Sequence, residues 1–188
     1  MSKTGMRFSR RGMLQAFAAT AVTAAPTYTA AAGFLRGAGD VRRIKMYSGR
    51  TGEHLDMIYW IEGKYVADAM KEVNYFMRDW RQDAAANMDT RMVDIIAATR
   101  NLLQTDAGFQ LLSGYRTPQT NAMLRSRSSG VAKRSLHMEA KAADLGMKGR
   151  SVSQIARAAA SCAAGGVGKY SRSNFVHVDC GTVRTWGR

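Results

Sequence analysis

Between Val41 and Val66 the apolar residues recur at every second position; beyond Val66 they recur at helical spacing. Arg42-Arg43-Ile44-Lys45-Met46-Tyr47 and Leu55-Asp56-Met57-Ile58-Tyr59-Trp60 both alternate, and Ser48-Gly49-Arg50-Thr51-Gly52-Glu53 between them has turn chemistry. Successive strand side chains point to opposite faces, so this pattern predicts a β-hairpin with one buried face. Ala69, Val73, Phe76 and Trp80 then share one side of a 3.6-residue repeat, predicting an amphipathic helix over about 66–82. A chain that changes period in this way is neither an all-helical bundle nor an all-β sandwich.

The remaining elements sharpen the class. A helix is expected over about 90–103, capped by Asp89 or Thr90, and another opens at Thr117-Pro118, where proline suits the first turn. Phe109–Ser113, Ala142–Leu145 and Asn174–Asp179 read as short strands, 152–164 as a long helix, and Gly165-Gly166-Val167-Gly168 as a loop. Helices come first and strands are interleaved late, which describes an α+β fold and not a doubly wound sheet. The 188 residues hold one domain of ordinary size plus a short appendage.

That appendage is residues 1–32. Lys3, Arg7, Arg10 and Arg11 precede the mildly apolar run Met13–Val22, and the segment ends in Ala30-Ala31-Ala32 without an acidic residue. A positive head, a short apolar middle and a small-residue end describe an export signal, and the middle is too short to span a bilayer. Ser9-Arg10-Arg11-Gly12-Met13-Leu14-Gln15 resembles the twin-arginine motif, which carries folded proteins across the inner membrane. The expected mature domain is therefore 33–188, periplasmic and without a membrane anchor.

Composition narrows the partners. With 28 basic and 14 acidic residues the net charge is +14, and four of those charges lie in 1–32, so the mature chain keeps +10. Such a chain favours anionic partners: nucleic acid, an anionic membrane or an acidic wall polymer. Nucleic-acid binding calls for basic residues gathered on one face with stacking aromatics. Here the basic residues are dispersed along the sequence and follow an export signal, so nucleic acid is not expected. Two cysteines, Cys162 and Cys180, are too few for a disulfide scaffold or a four-thiolate zinc module. In an oxidising compartment the two can pair across the intervening 17 residues, and a disulfide is one expectation; otherwise both are small buried residues.

Three histidines are present, and His54 sits beside Glu53 as a solvated turn residue. His137 is followed seven residues later by Asp144, and in Phe175-Val176-His177-Val178-Asp179 alternation puts His177 and Asp179 on one face. Two imidazoles and a carboxylate suit zinc with a fourth position open to water, the pattern of a catalytic site. By spacing alone, hydrogen-bonded core histidines are the commoner reading. Tyr75, Phe76, Met77 and Trp80 read as a packed helix face, and Trp186 with Arg184 as cleft-lining or core residues.

The surrounding residues add a resemblance. Ser113-Gly114-Tyr115-Arg116-Thr117-Pro118, Asn121, Leu124-Arg125, Gly130-Val131-Ala132, Ser135-Leu136-His137, Asp144, Gly165–Gly168 and Phe175–Asp179 form one ordered series. This series resembles the zinc D-Ala-D-Ala metallopeptidase family of cell-wall enzymes, and within it the murein endopeptidase K branch, over about residues 40–188. The resemblance implies a fold of the hedgehog/D-Ala-D-Ala peptidase type, with an N-terminal β-hairpin and a small antiparallel sheet carrying one Zn2+ per chain. It implies His137, Asp144 and His177 as zinc ligands, Arg116 as the residue that meets the carbonyl oxygen or a substrate carboxylate, and Ser135 and Tyr115 as substrate contacts. The implied reaction is hydrolysis of a peptide bond in the stems or cross-links of peptidoglycan. A D,D-carboxypeptidase and a silent peptidoglycan-binding module are the alternatives.

Two positions depart from the family pattern. Ala140 stands where a glycine is usual, and Asn174 stands three residues before His177, where the best-known members carry the general base. Asparagine cannot take a proton from water. Asp179 is the expected replacement by spacing, with holding a ligand or Arg116 in place as its other role and Glu139 as a weaker candidate base.

Overall fold

The computed structural model describes residues 40–187, so the export-signal reading of 1–32 lies outside the described residues. Eight strands form one sheet, β1 (Val41–Ser48), β2 (His54–Ile61), β3 (Lys64–Tyr65), β4 (Phe109–Ser113), β5 (Ala142–Gly146), β6 (Gly166–Tyr170), β7 (Phe175–Asp179) and β8 (Arg184–Gly187). Their spatial order is β3-β2-β1-β4-β5-β7-β6-β8. Among the described residues four helices accompany them, α1 (Ala67–Phe76), α2 (Thr90–Leu102), α3 (Pro118–Arg127) and α4 (Val152–Ser161). The class is α+β.

The sheet is mixed, where a small antiparallel one was expected. β1 and β2 pair antiparallel around the 49–53 turn, but β4 returns parallel to β1. Helices α1 and α2 carry the chain back before β4 begins, as a parallel pair requires. The second parallel pair is β6 and β8, with Gly166 opposite Arg184. To reach it the chain hops from the end of β7 over the start of β6, and this crossing needs glycine: a Cβ on Gly165 would lie 1.7 Å from the Asp179 carbonyl oxygen. The Gly165–Gly168 stretch is therefore largely strand, not loop.

Helix α1 also stops short of its expected end near 82. Its period continues to Trp80, but the Met77 carbonyl accepts from Tyr115 N at 2.7 Å, and Asp79 N donates to Ala84 O at 2.9 Å. The chain is thus drawn into a closed loop over 77–84. Trp80 lies on that loop with 37% of its surface exposed, and Tyr75 is 50% exposed, so neither belongs to a packed helix face; Phe76 and Met77 are buried.

Helix α2 is the core helix, with Met92 to Thr99 all buried. The Asp89 carboxylate caps it by accepting from Arg91 N at 3.0 Å. Asp94, 2% exposed, accepts from Arg42 Nη1 of β1 at 2.8 Å, Tyr59 OH of β2 at 2.8 Å and Tyr65 OH of β3 at 2.7 Å. Arg42 also lies over the Trp60 ring at 4.2 Å. One buried carboxylate thereby ties three strands to the helix.

Cys162 and Cys180 are both buried free thiols, which corrects the disulfide expectation. Cys162 Sγ lies 3.8 Å from Thr99 Oγ1 on α2. Burial and the nearby Asp89 carboxylate push the Cys180 thiol up to about 12.

Candidate metal centre

Strand register builds the site. Ser113 of β4 pairs with Asp144 of β5, and Asp144 pairs with His177 of β7, so residues spread over 64 positions line up across three neighbouring strands. His137 arrives from a 3-10 turn, Leu136–Glu139, capped by Ser135 Oγ, which accepts from His137 N at 3.4 Å. The turn ends at Ala140 with φ 55°, the left-handed conformation that glycine tolerates best. Arg116 N donates to the His137 carbonyl at 3.1 Å, which docks the turn on the Ser-Gly-Tyr-Arg segment.

His137, Asp144 and His177 each offer one ligand atom, all within 4.8 Å of one another. His137 Nε2 lies 3.3 Å from His177 Nδ1 and 3.3 Å from Asp144 Oδ1, and His177 Nδ1 lies 3.0 Å from Asp144 Oδ1. Tetrahedral zinc with bonds of about 2.0–2.1 Å has ligand–ligand edges of roughly 3.3–3.4 Å, so this triangle fits such an ion. The far nitrogens are also engaged. His137 Nδ1 meets the Gly114 carbonyl at 2.7 Å, and His177 Nε2 meets Asp179 Oδ2 at 3.1 Å. With protons on those nitrogens, Nε2 of His137 and Nδ1 of His177 keep lone pairs directed at the same point. Burial pushes the Asp144 carboxyl up, but the facing imidazoles outweigh it and hold it well below the usual carboxylate range. Burial lowers His177, and Asp144 with Asp179 more than reverse this, raising it to about 9.

The triangle opens into a cleft of about 230 Å³, whose walls include Arg116, Arg134, Ser135, Tyr170, Phe175, Arg184 and Trp186. Arg116 is buried, with Nη2 3.7 Å from Asp144 Oδ2 and its forks on Asn121 Oδ1 and Ser113 Oγ, each at 3.3 Å. Its Nε has no hydrogen-bond partner. Trp186 Nε1 donates to Tyr170 OH at 3.1 Å, Tyr170 stacks on Phe175 at 4.6 Å, and the Trp186 ring lies 5.4 Å from His177. A Cβ on Gly168 would stand 2.5 Å from Trp186, so that glycine makes room for the aromatic wall.

Asp179 has a fully buried side chain and is saturated with donors. Oδ1 accepts from Gly166 N at 3.1 Å, Gly181 N at 2.9 Å and Arg184 Nη1 at 3.2 Å, while Oδ2 accepts from His177 Nε2 and from Arg184 Nη2 at 2.8 Å. The imidazole thus stands between this carboxylate and the ligand triangle. Burial raises the carboxyl, and His177 and Arg184 reverse that and hold it well below its ordinary range.

Other expected residues fall elsewhere. Tyr115 lies outside the cleft walls and packs half-buried against the core. Glu139 is exposed and paired with Lys141 at 2.9 Å. Asn174 is exposed in the β6–β7 turn with φ 53°, a backbone position asparagine tolerates, and does not line the cleft. Arg134, Tyr170 and Phe175 escaped the sequence reading. Phe175 alternates with His177 and was accessible to it, whereas Tyr170 required knowing that it pairs with Phe175 across the hairpin.

An α+β domain with a two-histidine, one-carboxylate cluster in an open cleft has the architecture of a metallopeptidase. The profile of the peptidoglycan L,D-endopeptidase MepK family matches residues 36–186, and the chain belongs to that family. It is 41% identical over 136 residues to the peptidoglycan L,D-endopeptidase MepK of Escherichia coli K12, covering 72% of this chain and 75% of that protein. It is 38% identical over 137 residues to the probable peptidoglycan L,D-endopeptidase MepK of Haemophilus influenzae, covering 72% and 74%. No solved structure gives a significant match.

Proposed function

We propose that this protein is an exported zinc endopeptidase of the peptidoglycan, with one Zn2+ held by His137, Asp144 and His177. The carrying observation is the triangle of ligand atoms with edges of 3.0–3.3 Å at the floor of an open cleft. Zinc there supplies an acidified water and an electrophilic pull on the scissile carbonyl. The chain's own residues do the rest. Arg116, lining the cleft beside Asp144, stabilises negative charge on the carbonyl oxygen or holds a substrate carboxylate. Ser135 caps the His137 turn and faces substrate from the cleft wall. Asp179 is a positioning residue: it fixes the His177 tautomer from the side away from the ligand triangle. Among the described residues lining the cleft only Asp144 and Asp179 carry carboxylates, and both are engaged with the imidazoles.

The substrate bond follows from the relatives' name. An L,D linkage joins the carbonyl of an L-centre to the amine of a D-centre. Among peptide-stem bonds, diaminopimelate to diaminopimelate has that configuration, while D-Ala to diaminopimelate and a terminal D-Ala are D,D. The same reading makes the fold a hedgehog/D-Ala-D-Ala peptidase variant, opened by the β1–β2 hairpin, and sends the mature domain to the periplasm by the twin-arginine route. No described helix is long and apolar enough to cross a membrane.

The test uses mature protein from about Gly33, loaded with zinc, on purified cross-linked muropeptides read by mass spectrometry. Loss of diaminopimelate-linked dimers, with His177→Ala inactive, is the expected result. Release of terminal D-Ala alone would make it a carboxypeptidase, and one bound zinc without cleavage would make it a binding module.

A further inference from the structure

The basic residues that look dispersed in the sequence are not all dispersed in space. Arg50 from the β1–β2 turn and Arg81 from the 77–84 loop both lie over the ring of Trp80, at 5.9 Å and 4.2 Å. Arg127, at the end of α3, belongs to the same group: burial lowers Arg81, Asp79 opposes, and repulsion from Arg50 and Arg127 adds to the lowering. All four side chains are exposed.

The local acids are committed elsewhere. Glu53 and Asp83 pair with Arg78, at 3.0 Å and 2.6 Å. Asp79 is buried and accepts from Thr117 N and Thr117 Oγ1, both at 2.9 Å. Among the described residues, Arg50, Arg81 and Arg127 therefore form a cationic patch with no ion-pair partner. A guanidinium laid against an indole is held in orientation and presents its fork of N–H groups outward, the geometry that suits a carboxylate.

Register places this patch beside the cleft. Ser48, the last residue of β1, pairs with Leu111 near the end of β4, and the β4 end pairs with Asp144. The turn carrying Arg50 and the ligand triangle thus occupy the same end of the sheet, where β1 and the Asp144 strand β5 lie two strand positions or about 10 Å apart. The 77–84 loop is bonded to the segment before and after Arg116, through Met77 O to Tyr115 N and Asp79 to Thr117.

We propose that Arg50, Arg81 and Arg127, oriented by Trp80, form a second binding site that takes free carboxylates of peptide stems adjoining the one being cut. This inference rests on the peptidoglycan reading above. Anionic membrane is the lesser fit, because the indole exposed at this patch is already covered by two guanidiniums. A polymer that fills both cleft and patch gains by effective concentration, whereas a short soluble muropeptide fills the cleft alone.

The test compares wild type, Arg50→Gln/Arg127→Gln and Trp80→Leu by co-sedimentation with purified sacculi. It is run at 4 °C, before measurable digestion, with native sacculi and with sacculi whose carboxylates have been amidated. Cleavage of a soluble cross-linked dimer is measured alongside. The expected result is at least tenfold weaker sacculus binding by both variants, an equal loss for wild type on amidated sacculi, and kcat/KM on the dimer within twofold of wild type. Unchanged sacculus binding by the double variant overturns the proposal. So does loss of binding only to vesicles of phosphatidylglycerol with sacculus binding intact, or equal loss on the soluble dimer. Should wild type leave the dimer uncut, the endopeptidase reading fails, while the co-sedimentation still decides the patch.

Discussion

Replacing Asp179 by asparagine separates the two roles open to this carboxylate. The change is nearly isosteric, but all five of its contacts are with donors: Gly166 N, Gly181 N, two Arg184 nitrogens and His177 Nε2. An amide has one oxygen to offer. With the oxygen facing the two backbone N–H groups, its NH2 meets His177 Nε2, and that nitrogen must become an acceptor. The ring proton then moves to Nδ1, the atom that lies 3.0 Å from Asp144 Oδ1 and faces the metal position. The ligand lone pair is lost in that tautomer. Removal of such an outer partner lowers metal affinity by about 10–100-fold, or roughly 1.4–2.8 kcal/mol. Because 44% of the Arg184 side chain remains exposed, water replaces part of what it loses, and unfolding stability falls by about 1–3 kcal/mol. Zinc affinity is measured by chelator competition, and turnover on cross-linked muropeptide is measured at saturating zinc. Asp179→Asn should bind zinc more weakly and recover much of its turnover as zinc is raised. A variant with wild-type zinc affinity and a turnover lowered about 10²–10⁴-fold at saturation would identify Asp179 as the base and refute the positioning argument.

Three further outcomes follow from the same contacts. Asp94→Asn should cost about 3–5 kcal/mol in urea unfolding, because it leaves the buried Arg42 guanidinium without its counter-ion; a cost below about 1 kcal/mol would show that the ion pair is replaceable. Stability should fall as pH rises above about 9, since Cys180 and then Tyr59 and Tyr65 ionise in the unfolded chain while the fold holds their protons, with slopes near 1.4 kcal/mol per pH unit per group. Urea midpoints over pH 7–11 in reductant measure this, and Cys180→Ala should flatten the part near pH 9–10. Ala140→Gly should lie within about 0.5 kcal/mol of wild type, as relief of a left-handed alanine, about 1 kcal/mol, is offset by loss of a buried methyl worth about 0.8 kcal/mol; thermal melting checks it.

What the sequence made legible, and what it hid, divides along local against non-local information. β1, β2, β4, β5 and β7 announce themselves because their buried residues alternate or run together, and α2 because its period is unbroken. β6 is hidden because Gly166 and Gly168 carry no side chains to alternate, and their reason for being glycine is the Arg184 and Trp186 side chains pressed against them from β8. The end of α1 is hidden for a related reason: periodicity runs on to Trp80, but a hydrogen bond to Tyr115, 38 residues further along, halts the helix at Phe76. The candidate ligands could be named from residue type and resemblance, yet nothing local says that Asp144 and His177 are register partners on neighbouring strands. Asp179 shows where local information stops. Alternation puts it on the face of His177, which invites a catalytic role, but alternation does not say which imidazole nitrogen it meets. It meets Nε2, while Nδ1 faces Asp144 and His137. That choice of nitrogen comes from the Arg184, Gly166 and Gly181 donors that pin the carboxylate in place; Gly181 and Arg184 come from the β7-to-β8 crossover and its end, and Gly166 from the start of β6 that it passes over. A single hop over β6 therefore fixes the sheet's second parallel pair and the orientation of a candidate ligand together.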